Sequence, residues 1–271
     1  MIKPKKLSEL VAYFLQVFPP SHNFIYSLLP RMAFMLPHDK SYKIIPYLAT
    51  KENGLILDAG ANNGISSVYF RHVMPKWNIL AIEPNPIHKK DLNRLKKNNN
   101  LFDFIPIALS NKNGTMTLYT QTWLGFPLHT AASLKTENFN YSESFPSFLR
   151  NHLKIKNDLI KVTTIDDLNI APDIIKIDCE GMDLHVLNGS KRTILESRPY
   201  ILFENNEADY DDIIKLSHLL GMEVYFYDHN KNDLSLYKKG ITTNSNDHRN
   251  LVMIPSEKLD YIKSKINVGK N

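Results

Sequence analysis

Short apolar runs alternate with stretches of helical spacing over most of this chain, and several of the runs close on an acid or a glycine. Residues 54–57 predict a buried strand, 65–73 a helix, 77–82 a second strand, 86–98 a second helix and 102–109 a third strand. Asn113-Gly114 is a turn signal, and 115–120 then alternates like a hairpin strand. The rhythm breaks over 121–157, which reads as a long irregular insertion and a substrate lid. Regular order resumes at Ile160, with strands at 173–177, 200–203, 223–227 and 250–254 and helices at 183–195 and 209–220. This alternation predicts an α/β fold with a doubly wound, mostly parallel sheet. The first fifty residues differ. They are rich in aromatics, among them Tyr42 and Tyr47, and prolines cut them into short pieces, so they read as a helical N-terminal cap on a Rossmann-like domain spanning 51–271.

Composition narrows the class. A chain of 271 residues is long enough to bury a sizeable core without staples. The single cysteine, Cys179, excludes an internal disulfide and any cysteine-rich metal site. No apolar stretch reaches the roughly 20 residues of a membrane span, and the N-terminus lacks the pattern of a signal peptide, so a cytoplasmic location is expected. Basic residues outnumber acidic ones, 33 to 28, for a net charge of +5. The densest basic segment, 88–97, has an apolar face from Ile87, Leu92 and Leu95, so it reads as a solvated helix face and not as a nucleic-acid platform.

The strongest chemical signal is the segment from Leu55 to Gly64, LILDAGANNG. A strand ends in Asp58, a turn containing Gly60 follows, and a helix begins after Gly64. Glycine lets a ligand approach the backbone, and a helix N-terminus offers unpaired N–H groups. The next strand ends in Glu83, where a carboxylate can accept both hydroxyls of a ribose. The glycine spacing is not that of a dinucleotide fingerprint. Asp58 would repel a pyrophosphate but suits a cationic amino group, which favours S-adenosylmethionine over NAD. Two further strands end in acids: IIKIDCEGMD carries Asp178, Glu180 and Asp183, and YILFEN carries Glu204 and Asn205. In a doubly wound sheet these ends share one edge, where ligands bind.

The order DAGANNG, AIEPNP, IALSNKNG, VTTIDDL, KIDCEGMDLHVLNG and a strand ending in Glu resembles the FkbM family of S-adenosylmethionine-dependent methyltransferases, over about 54–226 with 250–255 as the final strand. The resemblance implies a class I methyltransferase that O-methylates a sugar or related hydroxyl in a surface glycan, a capsule or a glycosylated metabolite. It implies that Asp58, Gly60, Ala61 and Asn62 hold the methionine part of the cofactor. Glu83 takes the ribose, with Pro84 and Asn85 beside it. Ala108 and Ile107 wall the adenine, Asp178, Glu180 and Gly181 form the active-site turn, and Ser133 borders the pocket. Cys179 and Asn63 depart from the usual pattern.

Methyl transfer to oxygen asks for alignment, exclusion of water and a base for the hydroxyl proton. Asp178, Glu204 and His129 are the candidate bases, Asp178 first. Its alternative roles are a helix cap and a cofactor contact. A divalent ion such as magnesium held by Asp178, Glu204 and Asn205 is a variant of the same chemistry. Trp123, Phe126 and Tyr141 could stack on a sugar or simply pack. His185 is expected at the surface, and Cys179 is expected to be an unreactive small hydrophobe. The expected partner is a small-molecule or glycan acceptor, with the net charge compatible with an anionic one such as a phosphorylated sugar. No nucleic-acid partner is expected, and a homo-oligomer is compatible with the sequence. Two other classes stay in view: a methyltransferase of nucleic acid or protein, and a non-catalytic binding module of the same fold.

Overall fold

A computed structural model describes residues 39–123, 126–133, 153–179, 181–238 and 250–268; for residues 123, 126–133, 207 and 268 it describes the backbone alone. A nine-stranded sheet runs in the order β13-β11-β10-β12-β9-β8-β1-β2-β3. Its parallel centre is made of β1 (Leu55–Ala59), β2 (Asn78–Ile82), β3 (Phe102–Ile105), β8 (Ile174–Ile177) and β9 (Tyr200–Glu204). The strands β10 (Met222–Asp228), β11 (Asp233–Leu236), β12 (Asn250–Pro255) and β13 (Asn267–Val268) extend it, and β12 runs antiparallel between β9 and β10. The chain leaves β1 outward through β2 and β3, then returns to β1's other side with β8. The topological switch therefore falls between β1 and β8, and the crevice beyond their carboxyl ends is where such sheets bind ligands.

Strand alternation divides the core between the two faces of this sheet. Ile56, Ile174, Leu202 and Val252 join one buried cluster, while their neighbours Leu57, Ile175, Ile201 and Met253 join the other. The first face is covered by helix α1 (Ile65–Val73), which contributes Tyr69 and Phe70, and by a 3₁₀ helix, Lys40–Leu48. Asp39 caps that 3₁₀ helix by accepting from Ser41 N at 2.8 Å, and Tyr42, Ile44, Ile45 and Leu48 are buried in the cluster. This is the described part of the expected N-terminal cap; residues 1–38 lie outside the described residues. Helix α2 (Lys89–Asn98) follows a short 3₁₀ turn at Pro86–His88.

Three expectations change. The apolar run 102–109 is two strands, because Pro106 breaks it: Ile107 N donates to Ile105 O at 3.0 Å, closing a three-residue turn. β3 stays in the main sheet, whereas β4 (Ala108–Leu109) joins a second one. That second sheet, in the order β4-β7-β5-β6, contains β5 (Gly114–Trp123), β6 (Phe126–Ser133) and β7 (Leu153–Thr163). The described parts of 121–157 are thus strand, not irregular chain; residues 134–152, with Tyr141, lie outside the described residues. The helix expected over 183–195 is likewise two, α3 (Asp183–Asn188) and α4 (Lys191–Ser197). They part at Gly189, where a Cβ would collide with the backbone carbonyl of Ser110. Asp166 caps α4 by accepting from Arg192 N at 3.1 Å and Thr193 N at 2.8 Å. Helix α5 (Tyr210–Leu219) precedes β10, and α6 (Leu259–Lys263) follows β12. Among the described residues no helix is long and apolar enough to cross a membrane.

Candidate active site at the carboxyl ends of the parallel strands

The loop after β1 is tightly coiled. Gly60, Asn62 and Gly64 all have positive φ, at 74°, 53° and 86°. Asn62 is the non-glycine among them, and asparagine tolerates the left-handed region because its side chain bonds locally, here accepting from Asn63 N at 2.7 Å. Backbone strain of this kind collects at functional sites.

Every backbone N–H from Gly60 to Ile65 already has an acceptor. Gly60 N and Ala61 N donate to Ile82 O at 2.9 and 3.2 Å, and Gly64 N donates to Ala61 O at 2.8 Å. Asn62 N donates to Glu83 Oε2 at 2.8 Å, Asn63 N to Asn62 Oδ1, and Ile65 N to Asn63 Oδ1 at 3.3 Å. From Gly60 to Ile65 the loop therefore has no spare N–H groups to offer a pyrophosphate. Asp58 is fully buried and faces inward. Its Oδ2 accepts from Ser66 Oγ and Ser67 Oγ, both at 2.6 Å, and its Oδ1 lies 3.0 Å from the ammonium of Lys176. Its charge is thus compensated within the protein and supports the loop from below.

Glu83 sits just past β2, buried, with Oε1 accepting from Asn85 N at 2.8 Å. Burial pushes its carboxyl up to about 7, against the lowering by the Asn85 and Asn62 N–H groups and the Lys176 charge. Each oxygen keeps a further lone pair, so the pair of hydroxyls of a ribose remains a fitting partner. Asn85 is buried as well, and its side-chain Nδ2 has no hydrogen-bond partner among the described residues. Pro84 between them is half-buried. Ala108 lies in the second sheet, paired with Val162 and packed with Leu118 and Ile160, while Ile107 packs against the main core.

The turn after β8 meets the Gly60 loop directly: Asp178 N donates to Ala59 O at 3.1 Å, and a Cβ on Gly60 would collide with the Asp178 carbonyl oxygen. The Asp178 side chain is 36% exposed and its Oδ2 lies 3.9 Å from Lys176 Nζ. Gly181 turns the chain with φ 80°, and Met182 N closes the turn on Cys179 O at 3.2 Å. Asp183 braces it, accepting from Cys179 N at 3.2 Å. Burial pushes the Asp183 carboxyl up to about 6, and the nearby charges of Asp178 and Glu204 add to the rise. Cys179 is half-buried, and burial and the Asp183 charge push its thiol well up, so it is a poor nucleophile. His185 is exposed on α3.

The β8–β9 register pairs Ile177 with Phe203, which leaves Asp178 and Glu204 as the next positions on adjacent strands. The structure thus brings Asp58, Gly60, Ala61, Asn62, Glu83, Asp178 and Glu204 to one edge. It carries His129 and Ser133 on β6 of the second sheet, where backbone alone is described, and Glu180 lies outside the described residues. The amide oxygen of Asn205 accepts from Tyr237 Oη at 2.8 Å. Among the described residues no three His, Cys, Asp or Glu side chains gather into a metal-holding group, so the magnesium variant gains no support from this geometry.

Sequence reasoning missed Lys176. Its Nζ donates to Gly60 O at 2.7 Å and Ala59 O at 3.2 Å, and pairs with Asp58 Oδ1. Burial alone would push this ammonium down; the negative charges of Asp58 and Asp178 outweigh it and carry it well up. The signal was present in the sequence: a lysine inside the apolar run IIKI of a central strand, where charged residues are rare unless paired.

A family model described as the methyltransferase FkbM domain matches residues 58–229. The protein named Methyltransferase sdnD, from Sordaria araneosa, is 29% identical over 156 residues, which cover 51% of this chain and 60% of that protein. The chain therefore spans 60% of the length of this curated relative. Among solved structures, the methyltransferase FkbM of Methylobacillus flagellatus KT is similar with a TM-score of 0.46 at 17% identity, covering 88% of this chain and 60% of that one. Fibrillarin of Aeropyrum pernix, solved with natively bound S-adenosyl-L-methionine, is similar with a TM-score of 0.43 at 13% identity, covering 82% and 75%.

Proposed function

This chain belongs to the FkbM methyltransferase family, and on that premise we propose that it is an S-adenosylmethionine-dependent O-methyltransferase acting on the hydroxyl of a sugar, in a surface glycan, a capsule or a glycosylated metabolite. The observation that carries the cofactor reading is the loop between Gly60 and Ile65. Its N–H groups are all spent internally, while a buried carboxylate, Glu83, closes its far side. Such a site suits a ribose next to a cationic amino acid better than a diphosphate.

S-adenosylmethionine supplies a sulfonium methyl group. The chain's own residues would do the rest. Glu83 accepts the ribose hydroxyls through its two oxygens. The carboxylate of Asp178, open to the crevice beside the switch point, takes the proton from the acceptor hydroxyl as its oxygen is methylated. Glu204, next along the edge, adds negative charge that favours this transfer and orients further acceptor hydroxyls. Alignment of acceptor and donor accounts for most of the rate in such displacements.

Calorimetry tests the cofactor: S-adenosylmethionine and S-adenosylhomocysteine bind and NAD does not. Binding of NAD alone would overturn the reading. For the acceptor, glycans from cells with and without the gene are compared by mass spectrometry. The expected difference is one lost methyl group on a sugar; identical glycans would remove the sugar from the proposal.

A further inference from the structure

Lys176 stands in a place where a lysine is costly. It is 2% exposed, in the middle of the sheet, on the face covered by α1 and by Tyr42. Burying an ion costs several kcal/mol unless its partners are well placed. Here they are. The ammonium donates to two carbonyls, Ala59 O and Gly60 O, and its charge is met by Asp58 Oδ1 at 3.0 Å, all supplied by the end of β1. The register makes this possible, since Asp58 and Lys176 are direct neighbours across the β1–β8 pair.

The two carbonyls belong to successive peptide groups whose N–H ends are also held. The peptide joining Ala59 and Gly60 points its oxygen at Lys176 and its N–H at Ile82 O. The peptide joining Gly60 and Ala61 does the same. Both planes are thus pinned between β8 on one side and β2 on the other. The following N–H, of Asn62, is the one that meets Glu83. Gly60 has φ 74° and no side chain to resist a peptide flip, so the pinning matters most there.

We propose that Lys176 is the positioning residue of the cofactor loop: its ammonium fixes the two peptide planes at Gly60 and so sets both the seat for the cofactor and the distance to the Asp178 turn. This rests on the methyltransferase reading only for what the loop binds, not for what Lys176 does to it. Asp58 in turn aims Lys176 and balances its charge, and the charge of Lys176 beside Asp178 keeps the two turns in register.

The test uses the full chain and a charge-balanced variant. Lys176→Met alone leaves a bare buried carboxylate, and Asp58→Asn alone a bare buried ammonium, so each is expected to unfold the protein for that reason. The double variant Asp58→Asn/Lys176→Met removes both charges and is compared with the wild-type chain. Hydrogen exchange over 59–65 should quicken about tenfold in the double variant relative to wild type, with the rest of β1 and β8 unchanged. The Kd for S-adenosylhomocysteine should rise about tenfold or more, since the loop must be ordered at the moment of binding. Loop exchange and Kd equal in the two proteins would overturn the proposal. So would quickened exchange across β1 and β8 as a whole, which marks a merely structural lysine. If the wild-type chain binds no S-adenosylhomocysteine, the methyltransferase reading fails, and the exchange of 59–65 still decides the role of Lys176.

Discussion

The carbonyl oxygen of Asp178 fills the space that a side chain on Gly60 would need. The turns after β1 and β8 therefore touch through backbone, and the site is assembled by this close approach. Gly181 offers the comparison: it too has positive φ, at 80°, but a Cβ there would meet nothing within 4 Å. Gly181→Ala should cost the ~1–2 kcal/mol of a left-handed alanine. Gly60→Ala should cost clearly more and abolish cofactor binding, because it adds a backbone collision. Urea denaturation of both variants measures this; equal losses would show that the close approach contributes nothing.

Glu83 makes the protein sensitive to pH near neutrality. Its carboxyl is raised from 4.5 to about 7, so the folded chain holds a proton there that the unfolded chain has released. The stability this confers is complete below pH about 4.5 and is lost as pH rises through about 7, by roughly 3 kcal/mol for a shift of this size. Glu83→Gln should remove that slope from a series of denaturation curves, leaving the smaller one due to Asp183, which is raised to about 6. Cofactor binding should run the other way. Ribose hydroxyls donate to the ionised form, so affinity for S-adenosylhomocysteine should fall about tenfold per pH unit below about 7 and lose most of this dependence in Glu83→Gln.

Asp178 and Glu204 should separate kinetically. Asp178→Asn keeps the shape of the turn but removes the proton acceptor, and turnover should fall ~10²–10⁴-fold while cofactor Kd changes little. Glu204→Gln should act mainly on the KM for the acceptor. A large rise in cofactor Kd with Asp178→Asn would reassign that carboxylate from base to cofactor contact. Methyl transfer from labelled cofactor and calorimetry on the same preparations give the two readouts.

Chelation gives a direct check on the metal. With Asn205 engaged by Tyr237 and no metal-holding group among the described residues, activity should survive EDTA and gain nothing from added magnesium. A loss restored by magnesium would bring back Asp178, Glu204 and Asn205 as ligands.

The features legible in the sequence were those that short stretches of chain settle. Apolar runs closing on Asp58, Glu83, Asp178 and Glu204 placed four acids at strand ends, and parallel pairing then puts all four at one edge. Harder to read were the breaks. The run 102–109 is apolar throughout except for Asp103 and Pro106, yet the proline turn sends its two halves into different sheets. Gly189 splits a helix that periodicity alone would continue, because Ser110, distant in sequence, presses against it. The start of β7 alternates as Leu153-Lys154-Ile155-Lys156, but residues 154–157 are exposed on both faces, so no buried side marks it as a core strand.

By itself, then, the sequence determined which residues end the strands, because hydrophobic burial and turn chemistry act over a few neighbours. It did not determine what those residues face. From its neighbours in the chain Asp58 reads as a ligand-facing acid at a strand end. Only the register of β1 against β8, a pairing between segments far apart in the chain, set Lys176 beside it. That pairing turned Asp58 inward beneath the loop, while the Asp178 side chain stays 36% exposed at the same edge. The reason is electrostatic: a charge buried in a sheet must be met by its opposite, and which opposite is within reach is a property of tertiary structure.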